Sequence, residues 1–136
     1  MVTYVLDVSA VLRYLDDEAG AQRVSEIIKS HLAGSCEVVI SALHWGEIAG
    51  VVHKVHGRDA MDLALSRLST FGFQIIPVSD ERAVRASLIK LKKNIPYVDS
   101  FGVELASEVP DSILITADFD LKPAQREIKI EFLPVK

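Results

Sequence analysis

Short apolar, β-branched runs alternate along the chain with segments of helical periodicity, and this alternation constrains the fold more than any other feature. The first run, Thr3 to Leu6, suits a strand buried on both faces, and Val11, Leu12 and Leu15 follow at helical spacing. Ala21, Val24, Ile27 and Ile28 repeat on one face of a second helix over Gly20 to Leu32, and Glu37 to Ile40 reads as the second strand. Ser41 is placed to cap a third helix that runs to Gly57 and contains Glu47. A fourth helix is expected over Arg58 to Phe71, and Gly72 separates it from a strand over Phe73 to Val78. Ser79 caps a helix from Asp80 to Lys93, whose early acids and late lysines suit the helix dipole, and Asn94 and Pro96 stop it. Tyr97 to Val109 reads as a further helix, while Ser112 to Ile115 and the alternating Ile128, Ile130 and Phe132 read as the last strands.

This order predicts an α/β fold of three layers, helices covering both faces of a central, mainly parallel sheet. The length of 136 residues and the 49% hydrophobic content suit one domain spanning residues 1–136 around a single core. No apolar run is long enough to cross a bilayer and no signal segment opens the chain, so a soluble, cytoplasmic protein without membrane contact is expected. Cys36 is the only cysteine, which excludes an internal disulfide and a thiolate metal cage, and a small buried hydrophobe is its expected role.

In parallel sheets, ligands bind beyond the carboxyl ends of the strands. Asp7 follows the first strand, and Asp118 follows the run Ile113 to Ile115. In Asp7-Val8-Ser9 a carboxylate and a hydroxyl two extended residues apart point to one side, although Ser9 is equally suited to capping the helix. Thr116-Ala117-Asp118-Phe119-Asp120 repeats the pairing at a second strand end. Glu47 sits in a largely apolar helix, where a buried charge needs a partner or water. Asp99 opens a helix after Pro96, a position that also suits a cap or a dipole contact.

Four segments together, VLDVSAV, SALHWGEIAG, YVDSFGVELA and ILITADFDL, resemble the PIN-domain family, in particular the VapC-type toxins of prokaryotic toxin–antitoxin pairs. The resemblance covers essentially the whole chain and implies about five parallel strands with helices on both sides. It makes Asp7, Glu47, Asp99 and Asp118 the acidic cluster that binds divalent metal, with Ser9 and Thr116 as supporting polar residues and Asp120 as a further acid near the ion. The implied cofactor is Mg2+, with Mn2+ as a substitute, since both prefer hard oxygen ligands. The implied reaction is hydrolysis of an RNA phosphodiester to a 5′-phosphate and a 3′-hydroxyl, and the implied partners are a cognate antitoxin and a second copy of the chain.

The net charge of −4 argues against a polyanionic substrate only superficially. If the four named acids bind cations, 19 acids less four leaves 15, matching the 15 Lys and Arg. Arg82, Arg85, Lys90, Lys92 and Lys93 form the densest basic run, a solvated helix end or a contact for the RNA backbone. Glu104 lies five residues beyond Asp99, about 140° further round an ideal helix, and is expected in solvent. His31, His44, His53 and His56 lack metalloprotease spacing and stay outside the site, while Trp45, Tyr14, Phe71, Phe73 and Phe101 are assigned to core or interface. Gly46 and Gly50, four apart, suggest a close approach of the third helix to the sheet or another helix.

Two other readings remain open on these residues: a PIN nuclease of RNA processing without an antitoxin, and a non-catalytic RNA-binding module. A dehalogenase-type phosphotransferase needs a second Asp where this chain has Ser9, and a phospho-acceptor receiver needs paired acids near strand one, from which Asp16 and Asp17 are too distant.

Overall fold

The apolar runs become five strands: β1 (Thr3–Leu6), β2 (Glu37–Ser41), β3 (Gln74–Ile76), β4 (Ser112–Thr116) and β5 (Ile130–Phe132). The structure, a computed structural model, describes residues 1–135. The strands form one sheet in the order β3-β2-β1-β4-β5, and every pairing is parallel. Six α-helices connect them: α1 (Val8–Leu15), α2 (Ala21–Leu32), α3 (Ala42–His56), α4 (Arg58–Ser69), α5 (Asp80–Lys93) and α6 (Tyr97–Glu108). A short 3-10 helix over Phe119–Ala124 follows β4 and lay outside the sequence expectations.

Because side chains alternate along a strand, each central strand feeds two cores. Leu6, Val38, Ile40 and Ile115 join α1 to α4 on one face, whereas Val5, Val39 and Leu114 join α5 and α6 on the other. The result is the expected three-layer α/β/α arrangement. Cys36 is buried and free, and among the described residues no helix is long and apolar enough to cross a membrane.

The ends of elements follow local chemistry. β3 is shorter than the expected Phe73 to Val78 and stops at Ile76, because Pro77 has no N–H for the ladder. α6 ends at Glu108 and not at Val109, whose backbone is extended ahead of Pro110. α4 stops at Ser69, two residues short of the expected Phe71, before the left-handed Gly72. Ile128 still belongs to the turn after the 3-10 helix, its N–H donating to the Ala124 carbonyl, so β5 begins only at Ile130. Gly20, at φ +93°, precedes α2 so closely over Leu133 that a Cβ there would sit 2.8 Å from the Leu133 Cβ.

Glu104 corrects the expectation of a solvated residue. Its carboxylate is 2% exposed and accepts from Arg82 Nη1 at 2.9 Å and Arg85 Nε at 3.0 Å. Turning away from Asp99 does not mean turning to water, because Ser100 to Ala106 are all buried between α5 and the sheet. The same contacts remove Arg82 and Arg85 from the basic run, and Lys92 and Lys93 pair with Glu127. Gly46 and Gly50 also differ from expectation: a Cβ on either would meet nothing within 4 Å, so neither permits a close approach here. The close approach is at Gly102, where a Cβ would lie 3.2 Å from both His44 Cε1 and Leu114 Cδ1.

Leu114 is fully buried at the centre of this packing. Leu114→Ala is expected to destabilise the fold by about 2–5 kcal/mol, read as a lower urea midpoint, by lost transfer energy and an unfilled cavity.

Candidate active site

Sheet order reverses between β1 and β4, and their carboxyl ends frame the crevice that such a switch point creates. Asp7 leaves β1 there, 3% exposed, and caps α1 by accepting from the Ala10 N–H at 2.9 Å. Two hydroxyls complete its shell. Ser9 Oγ donates to Oδ1 at 2.7 Å, and Thr116 Oγ1 donates to Oδ2 at 2.5 Å. Ser9 is therefore not the helix cap, which is Asp7, and it reaches the carboxylate from the first turn of α1 and not from an extended segment. Its oxygen also accepts from the Ala117 N–H at 2.8 Å, and Thr116 Oγ1 accepts from the Asp118 N–H at 2.9 Å. Burial raises the Asp7 carboxyl above the usual range, while the three donated bonds and the nearby His44 pull it back.

Asp99 stands in the first turn of α6 but caps nothing, since Pro96 holds the N-cap position and no side chain caps the helix. Burial pushes its carboxyl up to about 8, helped by the neighbouring Asp118 carboxyl and by the charges of Asp7 and Asp120. Its Oδ2 is buried and has no hydrogen-bond partner. Asp118 caps the 3-10 helix, its Oδ1 accepting from the Asp120 N–H at 2.9 Å. The structure thus gathers Asp7, Asp99, Asp118, Asp120, Ser9 and Thr116 around one strand edge.

Glu47 has different surroundings from these acids. It is exposed on α3 and makes no side-chain hydrogen bond or ion pair among the described residues, so the apolar sequence around it does not bury its charge. Among the described residues no three His, Cys, Asp or Glu side chains are arranged so that they already hold an ion. The acids form a loose group, not a closed cage.

His44 is the residue that sequence reasoning missed. It is fully buried, and its Nε2 lies 2.7 Å from the Val98 carbonyl. A carbonyl only accepts, so Nε2 carries the hydrogen, and Nδ1 is left without a partner. The bond ties α3 to the residue before Asp99. A lone histidine inside an apolar helix gives no signal of this in the sequence.

Residues 4–127 match the family model of the PIN domain. The chain belongs to the PIN domain family. No curated protein matches this PIN domain significantly in sequence. Among solved structures it resembles VapBC2 from Rickettsia felis, bound to a DNA fragment from its promoter, with a TM-score of 0.75 at 16% identity over 98% of this chain and 100% of the other. It also resembles VapC20 from Mycobacterium tuberculosis, described as a sarcin-ricin loop cleaving toxin, with a TM-score of 0.68 at 17% identity over 96% and 99% of the two chains. FitAcB from Neisseria gonorrhoeae gives 0.67 at 18% identity over 93% and 95%.

The raised carboxyls set the pH dependence of stability. A group whose value rises on folding binds its proton more tightly in the folded chain, so stability falls as pH rises from the ordinary 3.8 towards about 8. In EDTA, Asp99→Asn is expected to flatten that decline and to melt above the wild type at the alkaline end. Parallel Tm profiles for the two proteins would show that Asp99 carries no such strain.

Proposed function

We propose that this PIN domain is a divalent-metal-dependent endoribonuclease that hydrolyses RNA to a 5′-phosphate and a 3′-hydroxyl, and that it is the toxin of a toxin–antitoxin pair. The observation that carries the reading is Asp99: a part-buried acid held near the charges of Asp118 and Asp7, with one oxygen orphaned. Like charges gathered in a partly dry site oppose folding, and a cation resolves both the repulsion and the missing partner. The all-oxygen donor set suits Mg2+ or Mn2+. The similarity to VapBC and VapC structures supports the toxin assignment and a cognate antitoxin, and a second copy of the chain is part of the same proposal.

In this reading Asp7, Asp99 and Asp118 would hold the ion, and Glu47 would help to hold it or its water. A bound Mg2+ or Mn2+ supplies Lewis-acid activation of water and neutralises charge on the phosphate. The chain's own part is positioning. Ser9 and Thr116 fix both oxygens of Asp7, and the Asp120 N–H turns the Asp118 carboxylate. Asp99 would have to be deprotonated to hold a cation, so metal affinity is expected to rise with pH towards about 8.

Incubation with total cellular RNA and Mg2+ tests the reading by mapping new 5′ ends. Discrete cuts are expected, abolished by EDTA and reduced roughly a hundredfold or more by Asp99→Asn. An unchanged pattern in either control defeats the assignment. Thr116→Val keeps the side chain's shape but removes the hydroxyl from Asp7, and is expected to weaken Mn2+ binding by about ten- to a hundredfold in calorimetry. Unaltered affinity would reduce Thr116 to a packing residue.

A further inference from the structure

The 3-10 helix after β4 carries Phe119 directly between Asp118 and Asp120, yet Phe119 has no place in the acid cluster. Its ring stacks on Phe132 with centroids 5.1 Å apart and planes 7° from parallel, so its orientation is fixed. It nevertheless stays 42% exposed. A plug for the core would be covered. Instead the ring forms part of the wall of a cleft of about 640 Å³, shared with Lys90, Asn94, Pro96, Asp120 and Pro123. That volume suits a nucleotide-sized ligand.

Two further features give the cleft a chemistry. Lys90 lines the cleft, and the Lys122 ammonium sits over the Phe119 ring, 5.3 Å from its centroid, on a flexible stem that a stacking base can displace. Neither forms an ion pair among the described residues, whereas Arg82, Arg85, Lys92 and Lys93 each pair with a glutamate. Two cations without an acidic partner therefore stand at the cleft. Asn94 caps α5 in the left-handed conformation at φ 53° and is exposed with its side-chain amide unbonded. Its amide both donates and accepts, as the edge of a base requires. An oriented aromatic face, free cations and an amide are the combination that binds single-stranded nucleic acid, by stacking, charge and edge contacts.

We propose that this cleft is a nucleobase subsite, in which Phe119 stacks on an unpaired base of the RNA strand adjoining the bond presented to the acid cluster. This rests on the nuclease reading above. Lys90 and Lys122 face the phosphates flanking that base, and Asn94 meets its edge. Asp120, which lines the cleft and whose charge reaches Asp99, connects the two sites. The subsite sets the register of the strand and selects unpaired over duplex RNA, while stacking itself tolerates any base.

The test separates binding from cleavage. Affinity for short, fluorescein-labelled single-stranded RNA is measured in EDTA for wild type, Phe119→Ala and Phe119→Trp, with a 2-aminopurine base in the strand reporting stacking. Phe119→Ala is expected to weaken binding about tenfold and to relieve 2-aminopurine quenching, while Phe119→Trp retains both. Lys90→Ala is expected to lower the salt dependence of binding by about one counterion. Equal affinity and quenching in wild type and Phe119→Ala would overturn the subsite, as they would if a protein segment were the true occupant. Should Phe119→Ala fail to fold, Lys90→Ala and Asn94→Ala decide, and unaltered binding in both overturns it. Cleavage in Mg2+ is scored separately. A wild type that binds in this way but never cuts keeps the subsite and loses the nuclease, whereas cutting with Phe119-independent binding does the reverse.

Discussion

The carboxylate of Asp7 is the point on which the crevice depends. It is buried at the end of the central strand, and a buried charge is tolerated only when its lone pairs are filled. The backbone of α1, the Ser9 hydroxyl and the Thr116 hydroxyl of β4 fill them, and the same two hydroxyls then bind the backbone of Ala117 and Asp118. One acid thereby joins the first strand, the first helix and the turn after β4. The position of Asp118 relative to Asp7 is set by this network and not by side-chain flexibility.

Around that anchor the structure concentrates like charge. Folding places Asp99, Asp118 and Asp120 within mutual influence, and nothing among the described residues neutralises them. Elsewhere the chain pairs its charges closely: Arg23 forks onto Glu131 to pin α2 to the edge strand β5, and Glu104 takes two arginines. The contrast locates the molecule's electrostatic strain at the switch point, where strain serves binding better than it serves stability.

Most of the architecture was legible because periodicity survives packing. Leu6 and Ile40 face one core and Val5 and Val39 the other, and the continuous apolar runs that announced the strands are the trace of both burials. The acids at strand ends were legible for the same reason, since topology decides where β1 and β4 finish. What was not legible depends on neighbours distant in sequence. Glu104 was misplaced because helix geometry gives an angle but not what lies there. The exposure of Glu47, the role of His44 and the 3-10 helix that presents Phe119 are all outcomes of how α3, α6 and the segment after β4 meet.

The contacts that assemble the acid group span nearly the whole chain: Ser9 meets Ala117, and Thr116 meets Asp7 across 109 positions. Such non-local pairing forms late in folding, after the loops between have closed. On the ribosome, a chain that has emerged only through α5 has Asp7 but neither Asp99 nor the β4 turn that clamps it. The order of synthesis thus leaves the acidic centre unassembled until the last quarter of the chain has emerged.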